Sequence, residues 1–439
     1  MSGDDIIGLD ARHIWHPFTQ AETAPPVAAI VRGQGARLWD QTGKEYLDLV
    51  SSWWVTLHGH GHPAIARAVA EQAGRLEQVI FADFTHEPAA RLAAEVTALL
   101  PDGLERVFYS DDGSTAIEVA LKIAYQYWRN LGRERRGFVA FEGGYHGDTL
   151  GAMSAGRSSG FFTAWDDLLF PVSTVPFPAT WDGDEAVADR EEQSLAALAR
   201  LLEGQPAAVI VEPLVQGAAG MRMCRPEFLR RLAAMVREAG SLLILDEVMT
   251  GFGRTGAIFA CVKAAIRPDM VCLSKGLTGG FLPLSMTVAT DDIWRAFLGQ
   301  SIDRAFLHGH SFTANPLGCA AGLASLALLR STDCQTRIAA IEAVNRTRLA
   351  DLARRPPSRG AVIARPRICG TIAAFDVAGQ GDAGYGAAVG AVLKKAFMAR
   401  GLLLRPLGDV LYLLPPYCVS DGDLHRAWDA IGDVLQSLP

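Results

Sequence analysis

The chain has 439 residues, of which 49% are hydrophobic and 20% charged, with a formal net charge of −7. That length suggests two or three folding units, and the composition is that of an ordinary globular protein. A net negative charge without a basic run argues against nucleic acid or an anionic membrane surface as the main partner.

In chain order, the opening "MSGDDIIGLD" is acidic and lacks a basic head followed by an apolar core. It is not read as a secretory signal, and a cytoplasmic enzyme is expected. "WHPFTQ" at 15–20 sets two aromatics, an imidazole and a proline in six residues without periodicity. Pro17 fixes its own φ and turns His16 away from helix, so irregular backbone is predicted there. "HGHGH" at 58–62 invites a metal, but interleaved glycines suit a turn better than a rigid ligand shell, and no metal is expected.

Apolar, β-branched runs at "RVFYS" (106), "GFVAFE" (137), "AAVIVEP" (207), "SLLILDEV" (241) and "DMVCLS" (269) predict strands buried on both faces. Amphipathic patterns from 114 and from 226 predict helices between them. This alternation gives an α/β fold with an open, largely parallel sheet covered by helices, and places the ligand beyond the carboxyl ends of the strands. The segment 172–195, rich in Pro, Asp and Thr, reads as a surface excursion. "GCAAGLASLALL" from 318 is too short to span a bilayer and reads as a buried helix. After about 330 a helix, strand, helix pattern suggests a smaller C-terminal domain. The expected division is an N-terminal segment 1–60, a large domain 61–330 and a small domain 331–439. The seven cysteines, at 224, 261, 272, 319, 334, 369 and 418, show no Cys-x-x-Cys spacing and read as buried thiols in a reducing compartment.

The polar clusters fall at predicted strand ends. Asp246 follows an apolar run and should face a cation. Lys275 ends the next strand and is followed by glycines that allow close approach. In "YSDDGSTAIEVALK" a strand leads to Gly113 and Ser114, with Thr115 and Glu118 at capping-box spacing, so a helix N-terminus suited to phosphate is predicted. Tyr145 sits in a glycine-flanked turn where a flat ring can lie on a ligand. Each feature has a plainer alternative: an Asp246–Lys275 salt bridge, a solvated lysine, an ordinary helix cap. A nucleotide-binding α/β regulator is a further alternative, but no phosphate-loop or dinucleotide fingerprint supports it. Taken together, phosphate cradle, flat aromatic, buried carboxylate and lysine are what pyridoxal 5′-phosphate requires. Arg405, between an apolar run and a proline, wants an anion, either Asp409 or a substrate carboxylate.

"LDEVMTGFGRTG", "PDMVCLSKGLTGG", "GYHGDTLGAMS" and "HGHSFTANPLGCAA" resemble the signatures of class III, fold-type-I aminotransferases. "IWHPFTQ", "SSWWVTLHGHGHP", "YHGDT" and "RPLGDVLYLLPPY" resemble one branch of that class, the 7,8-diaminononanoate synthases of biotin biosynthesis. The resemblance implies amino transfer to 8-amino-7-oxononanoate in a homodimer with shared sites. Lys275 would be the Schiff-base lysine and proton shuttle, and Asp246 the partner of the pyridinium. Gly113 and Ser114 would hold the phosphate, helped by Ser311 and the backbone near His310 from the second subunit. Tyr145 would stack on the cofactor and Asp148 would anchor polar groups beside it. Trp53, Trp54 and Gly309 would line the substrate channel, Phe18 would present its ring to the substrates, Arg405 would hold the acceptor carboxylate and Arg254 would assist substrate recognition. Members using S-adenosylmethionine carry tyrosine at the position of Phe18 and Gly-Pro-Thr at that of Gly309-His310-Ser311. The departures here resemble members that accept lysine, so both donors stay open. A class III transaminase acting on other ω-amino acids or diamines is the alternative.

Overall fold

The computed structural model describes residues 6–354, 362–378 and 387–438. At its centre lies a seven-stranded sheet in the spatial order Leu104–Ser110, Ser285–Thr290, Met270–Leu273, Leu242–Asp246, Ala208–Val211, Phe138–Phe141, Ser173–Val175. Its inner strands are continuous aliphatic runs with every residue buried, as a sheet covered on both faces demands. Ser285–Thr290 runs antiparallel to both its neighbours, while the remaining neighbours pair in parallel. Helices Gly113–Asn130 and Pro226–Glu238 pack against this sheet, each along an aliphatic stripe.

Two expectations need correction, and one strand went unread. Ser285–Thr290 was not anticipated from sequence, because its Ser and Thr residues break the aliphatic pattern although all six residues are buried. The stretch 172–195 is no mere excursion. Ser173–Val175 forms the sheet's edge strand, and Val187–Leu202 is a helix whose Leu195, Leu198 and Leu202 are buried behind a charged front. The cysteines are not uniformly buried either: Cys334 is half-buried and Cys418 exposed.

Around this core, Ile30–Gln34, Arg37–Asp40 and Glu45–Asp48 form a meander, and Leu402–Leu403 pairs with Glu45–Asp48 in parallel. The chain's first and last parts are thereby joined. Val362–Cys369, Ile372–Ala378 and Val410–Leu413 make an antiparallel sheet, covered by Thr332–Arg354 and Asp421–Gln436, which are tied to each other through Trp428 Nε1 and Asn345 Oδ1 at 2.9 Å. Pro316–Leu329 is a buried helix, started by Asn315, whose Oδ1 accepts from Gly318 N at 3.0 Å.

The histidines of "HGHGH" each have a local task. His60 pairs with Asp48 at 2.8 Å, His62 caps the helix Pro63–Ala73, and His58 meets Ser325 Oγ at 3.2 Å. Among the described residues no three His, Cys, Asp or Glu side chains group to hold a metal, and no helix is long and apolar enough to cross a membrane.

Candidate active site

The carboxyl ends of the sheet open on a cavity of about 670 Å³. Asp246, the last residue of its strand, is buried on the wall. A carboxylate there needs partners, and it has them: Oδ2 pairs with His146 Nδ1 at 2.7 Å, and Oδ1 accepts from Val248 N at 3.0 Å. Among the described residues no salt bridge joins it to Lys275; His146 takes that place. Burial alone would lower the His146 pKa, but the hydrogen bond and charge of Asp246, aided by Glu212, outweigh it and the net shift is upward.

Glu212 lies beneath the same floor, accepting from Tyr145 N at 3.1 Å and Gly217 N at 3.0 Å. Burial pushes its carboxyl up to about 7, against the pull of His146 and those two N–H groups. Lys275 has φ 42°, a left-handed conformation that a non-glycine residue adopts only when its surroundings enforce it. Its pKa is lowered because burial outweighs the nearby carboxylates, Asp246 foremost. Its Nζ lies 5.5 Å from the centre of the Trp54 ring.

At the other end of the cavity begins the helix Gly113–Asn130. Its cap is Asp112, which accepts from Thr115 N at 2.9 Å while Thr115 Oγ1 accepts from Asp112 N at 3.1 Å. The expected Thr115–Glu118 box is therefore corrected. Glu118 turns to the backbone of Gly151 and Ala152, and the box sits one turn earlier. This arrangement leaves the N–H groups of Gly113 and Ser114, on the cavity wall, without helical partners. A Cβ on Gly113 would come within 2.6 Å of Val248, so this approach needs glycine. Ser114 Oγ is held by Thr149 Oγ1 at 2.7 Å.

Trp54, Val55, Tyr145, Asp148 and Lys275 also line a second cavity of about 390 Å³, completed by Phe18, Trp53, Phe161 and Arg405 among others. Tyr145 Oη donates to Asp148 Oδ1 at 3.0 Å. Phe18 meets Trp53 edge-on at 5.8 Å and Phe161 at 6.1 Å. Arg405 lies 4.2 Å over the Trp53 ring, and among the described residues no ion pair joins it to Asp409. The wall around Trp53 and Trp54 is strained into place: Ser51, Ser52 and Trp54 all have positive φ, held by Asp48, which accepts from Val50 N at 3.0 Å and Ser52 N at 2.7 Å.

Four expected residues lie outside both cavities. Arg254 is 1% exposed, and its guanidinium donates to the carbonyls of Pro415, Trp54 and Thr56. The side chain ties the tryptophan wall to the C-terminal part of the chain. Gly309, His310 and Ser311 sit on a loop beside the cavity without lining it. Conversely, sequence reasoning passed over His146 and Glu212. The signal for His146 stood inside "GYHGD", a polar residue directly after the singled-out Tyr145, and that for Glu212 was a carboxylate closing the run "AVIV".

A site with N–H groups and hydroxyls at one end, a fixed carboxylate behind, an aromatic ring and a depressed lysine amine fits the phosphate, ring nitrogen, ring face and aldehyde of pyridoxal phosphate. The family description Aminotransferase class-III matches residues 18–435. An adenosylmethionine-8-amino-7-oxononanoate aminotransferase of Synechococcus elongatus is 54% identical, over 97% of this chain and 99% of its own. The crystal structure of the enzyme of that name from Methanocaldococcus jannaschii superposes with a TM-score of 0.91 at 32% identity, covering 99% of each chain. An amine transaminase from an uncultivated Pseudomonas species, solved in its PLP-bound form, has a TM-score of 0.86 at 28% identity, over 97% of this chain and 98% of its own.

Proposed function

The chain belongs to the class-III aminotransferases and depends on pyridoxal 5′-phosphate, and we propose that it aminates 8-amino-7-oxononanoate to 7,8-diaminononanoate in biotin biosynthesis. The observation that carries this reading is the second cavity. It sets one guanidinium, Arg405, and one carboxylate, Asp148, in an otherwise largely apolar wall that also holds Lys275. The acceptor has matching parts: a carboxylate, an aliphatic chain, and an ammonium beside the ketone.

When bound, the cofactor supplies an aldehyde to take the amino group and a ring to take up the electron pair freed at the substrate carbon. The chain's own residues do the rest. Lys275 Nζ, more readily a free amine than an exposed lysine, takes the proton from the donor carbon and gives one to the acceptor carbon. Asp246, fixed on both oxygens, would hold a proton on the cofactor's ring nitrogen. The N–H groups of Gly113 and Ser114 would hold the phosphate, and the Tyr145 ring would offer its face to the cofactor. Trp53, Trp54 and Phe18 shape an apolar wall that excludes water and seats the aliphatic chain.

The enzyme is a cytoplasmic homodimer in this reading, with 61–330 as the cofactor-binding domain. Gly309, Ser311 and the backbone of His310 complete the neighbouring subunit's site. Large exposed apolar side chains flanking that loop, Leu307 at 70% and Phe312 at 58%, support an interface there. The donor is S-adenosylmethionine or lysine, and Phe18, lacking the hydroxyl of a tyrosine, bears on the choice. The test is mass-spectrometric detection of 7,8-diaminononanoate with each donor, in the native protein and in Phe18→Tyr. Product should form only with the acceptor present, and Phe18→Tyr should shift the donor ratio by about 5-fold or more, the scale of one hydrogen bond, without altering cofactor affinity. Equal ratios would reduce Phe18 to packing, and no product with either donor would end the proposal.

A further inference from the structure

Trp54 belongs to the wall that the two cavities share, and its ring lies 5.5 Å from the Lys275 amine. An indole is flat and wide, so its setting decides the shape of both spaces. Its backbone is fixed by the left-handed turn at 51–54 and by Arg254 Nη2, which donates to Trp54 O at 3.3 Å. Only the side-chain torsions are left, and each end of the ring has its own stop. At one end Nε1 donates to Tyr412 Oη at 2.9 Å. At the other the ring edge abuts Gly217, where a Cβ would come within 3.2 Å of it. Tyr412 stands in the strand Val410–Leu413 opposite Ala374, and its ring meets that of Trp54 edge-on at 6.2 Å. Tyr412 is 2% exposed and Trp54 6%, so water has little room to replace the hydroxyl.

An indole nitrogen only donates, so it needs an acceptor at that point. The phenol oxygen supplies one. A phenylalanine there keeps the shape and the ring contact but leaves a buried N–H without a partner, a state the side chain escapes only by turning. Turning the indole reshapes the wall on which a substrate chain would lie. We propose that Tyr412 is a positioning residue for acceptor recognition: reaching in from the small antiparallel sheet, it holds the Trp54 indole as the fixed partition along which the acceptor's aliphatic chain is seated. This rests on the reading of the second cavity as the acceptor's seat. Tyr412 lines neither cavity, so its effect passes through Trp54.

The test compares two ligands by titration calorimetry. One is 8-aminononanoate, the acceptor without its ketone, added to the full-length protein loaded with pyridoxamine 5′-phosphate; the other is pyridoxal 5′-phosphate, added to the apoprotein. Tyr412→Phe should weaken 8-aminononanoate by about 5- to 20-fold, the scale of one unmade hydrogen bond, and pyridoxal 5′-phosphate by less than about 3-fold. In steady state the loss should fall on KM for 8-amino-7-oxononanoate, with kcat kept within about 3-fold. Trp54→Phe has no N–H to satisfy, so adding Tyr412→Phe to it should change 8-aminononanoate binding by less than about 2-fold. No loss in Tyr412→Phe, equal losses for the two ligands, or the same added loss in the Trp54→Phe background would overturn the proposal. Should Tyr412→Phe not fold, Gly217→Ala decides. Its Cβ meets the opposite edge of the ring and should weaken 8-aminononanoate selectively by about 3-fold or more, and unaltered binding there contradicts the inference. Native protein that fails to bind 8-aminononanoate ends the acceptor reading and this inference with it; native binding that Tyr412→Phe leaves intact ends this inference alone.

Discussion

Lys275 and Asp246 end adjacent strands of one sheet without neutralising each other, because each has been given another environment. Asp246 and Lys275 were legible in sequence as charged residues at the ends of apolar runs. His146 and Glu212 were not, since their partners lie 100 and 67 residues away and burial, not spacing, makes them matter. Glu212 yields a pH prediction. Its folded pKa of about 7 lies above the ordinary 4.5, so its contribution to stability is fully present below 4.5 and is lost as pH rises through about 7. Glu212→Gln cannot titrate, so thermal melts of the apoprotein from pH 5 to pH 8 should show the variant gaining on the native protein by on the order of 1–3 kcal/mol. A constant difference across that range would refute the assignment. Arg405 has its ring partner in Trp53 but no carboxylate among the described residues. Arg405→Ala should cost about 1.5–3 kcal/mol of charge-assisted binding, seen as a roughly 10- to 150-fold fall in kcat/KM for the acceptor with cofactor affinity unchanged.

Among the elements, the helix Gly113–Asn130 shows how pattern and capping divide the information. Its existence follows from the apolar periodicity after Ser114, but its start depends on Asp112, whose side-chain hydrogen bond no spacing rule separated from that of Thr115. Asp112→Ala should lower the stability of the apoprotein by about 1 kcal/mol, measured by chemical denaturation, as loss of an N-cap does. An unchanged midpoint would place the start of the helix elsewhere. The short turn at 51–54 was legible only as two tryptophans. Its left-handed backbone is imposed by Asp48 close by and by Ser51 Oγ donating to Leu414 O at 2.7 Å, a contact that spans most of the chain. Ser285–Thr290 escaped notice for a similar reason, since strands of Ser and Thr become core only when neighbouring strands cover them.

For the molecule as a whole, the α/β class and the placing of the ligand beyond the strand ends were readable from alternation alone. What alternation could not convey is how one cavity gathers Pro17 and Phe18, the tryptophan turn, Lys275 from the central sheet and Arg405 from near the C-terminus. That gathering depends on the parallel pairing of Leu402–Leu403 with Glu45–Asp48 and on Arg254 clasping Trp54, Thr56 and Pro415. These long-range contacts make a single pocket from both ends of the chain, and amino transfer to a long keto acid is the chemistry the pocket suits. The most direct measurement is a single half-reaction: the protein loaded with pyridoxamine 5′-phosphate, mixed rapidly with 8-amino-7-oxononanoate and followed by the cofactor's absorbance. The predicted result is a full return of the aldehyde-form band at a rate that saturates with acceptor, with 7,8-diaminononanoate formed in equal amount. A band that stays unchanged with this acceptor, yet returns with an unrelated ω-aldehyde or keto acid, would contradict it.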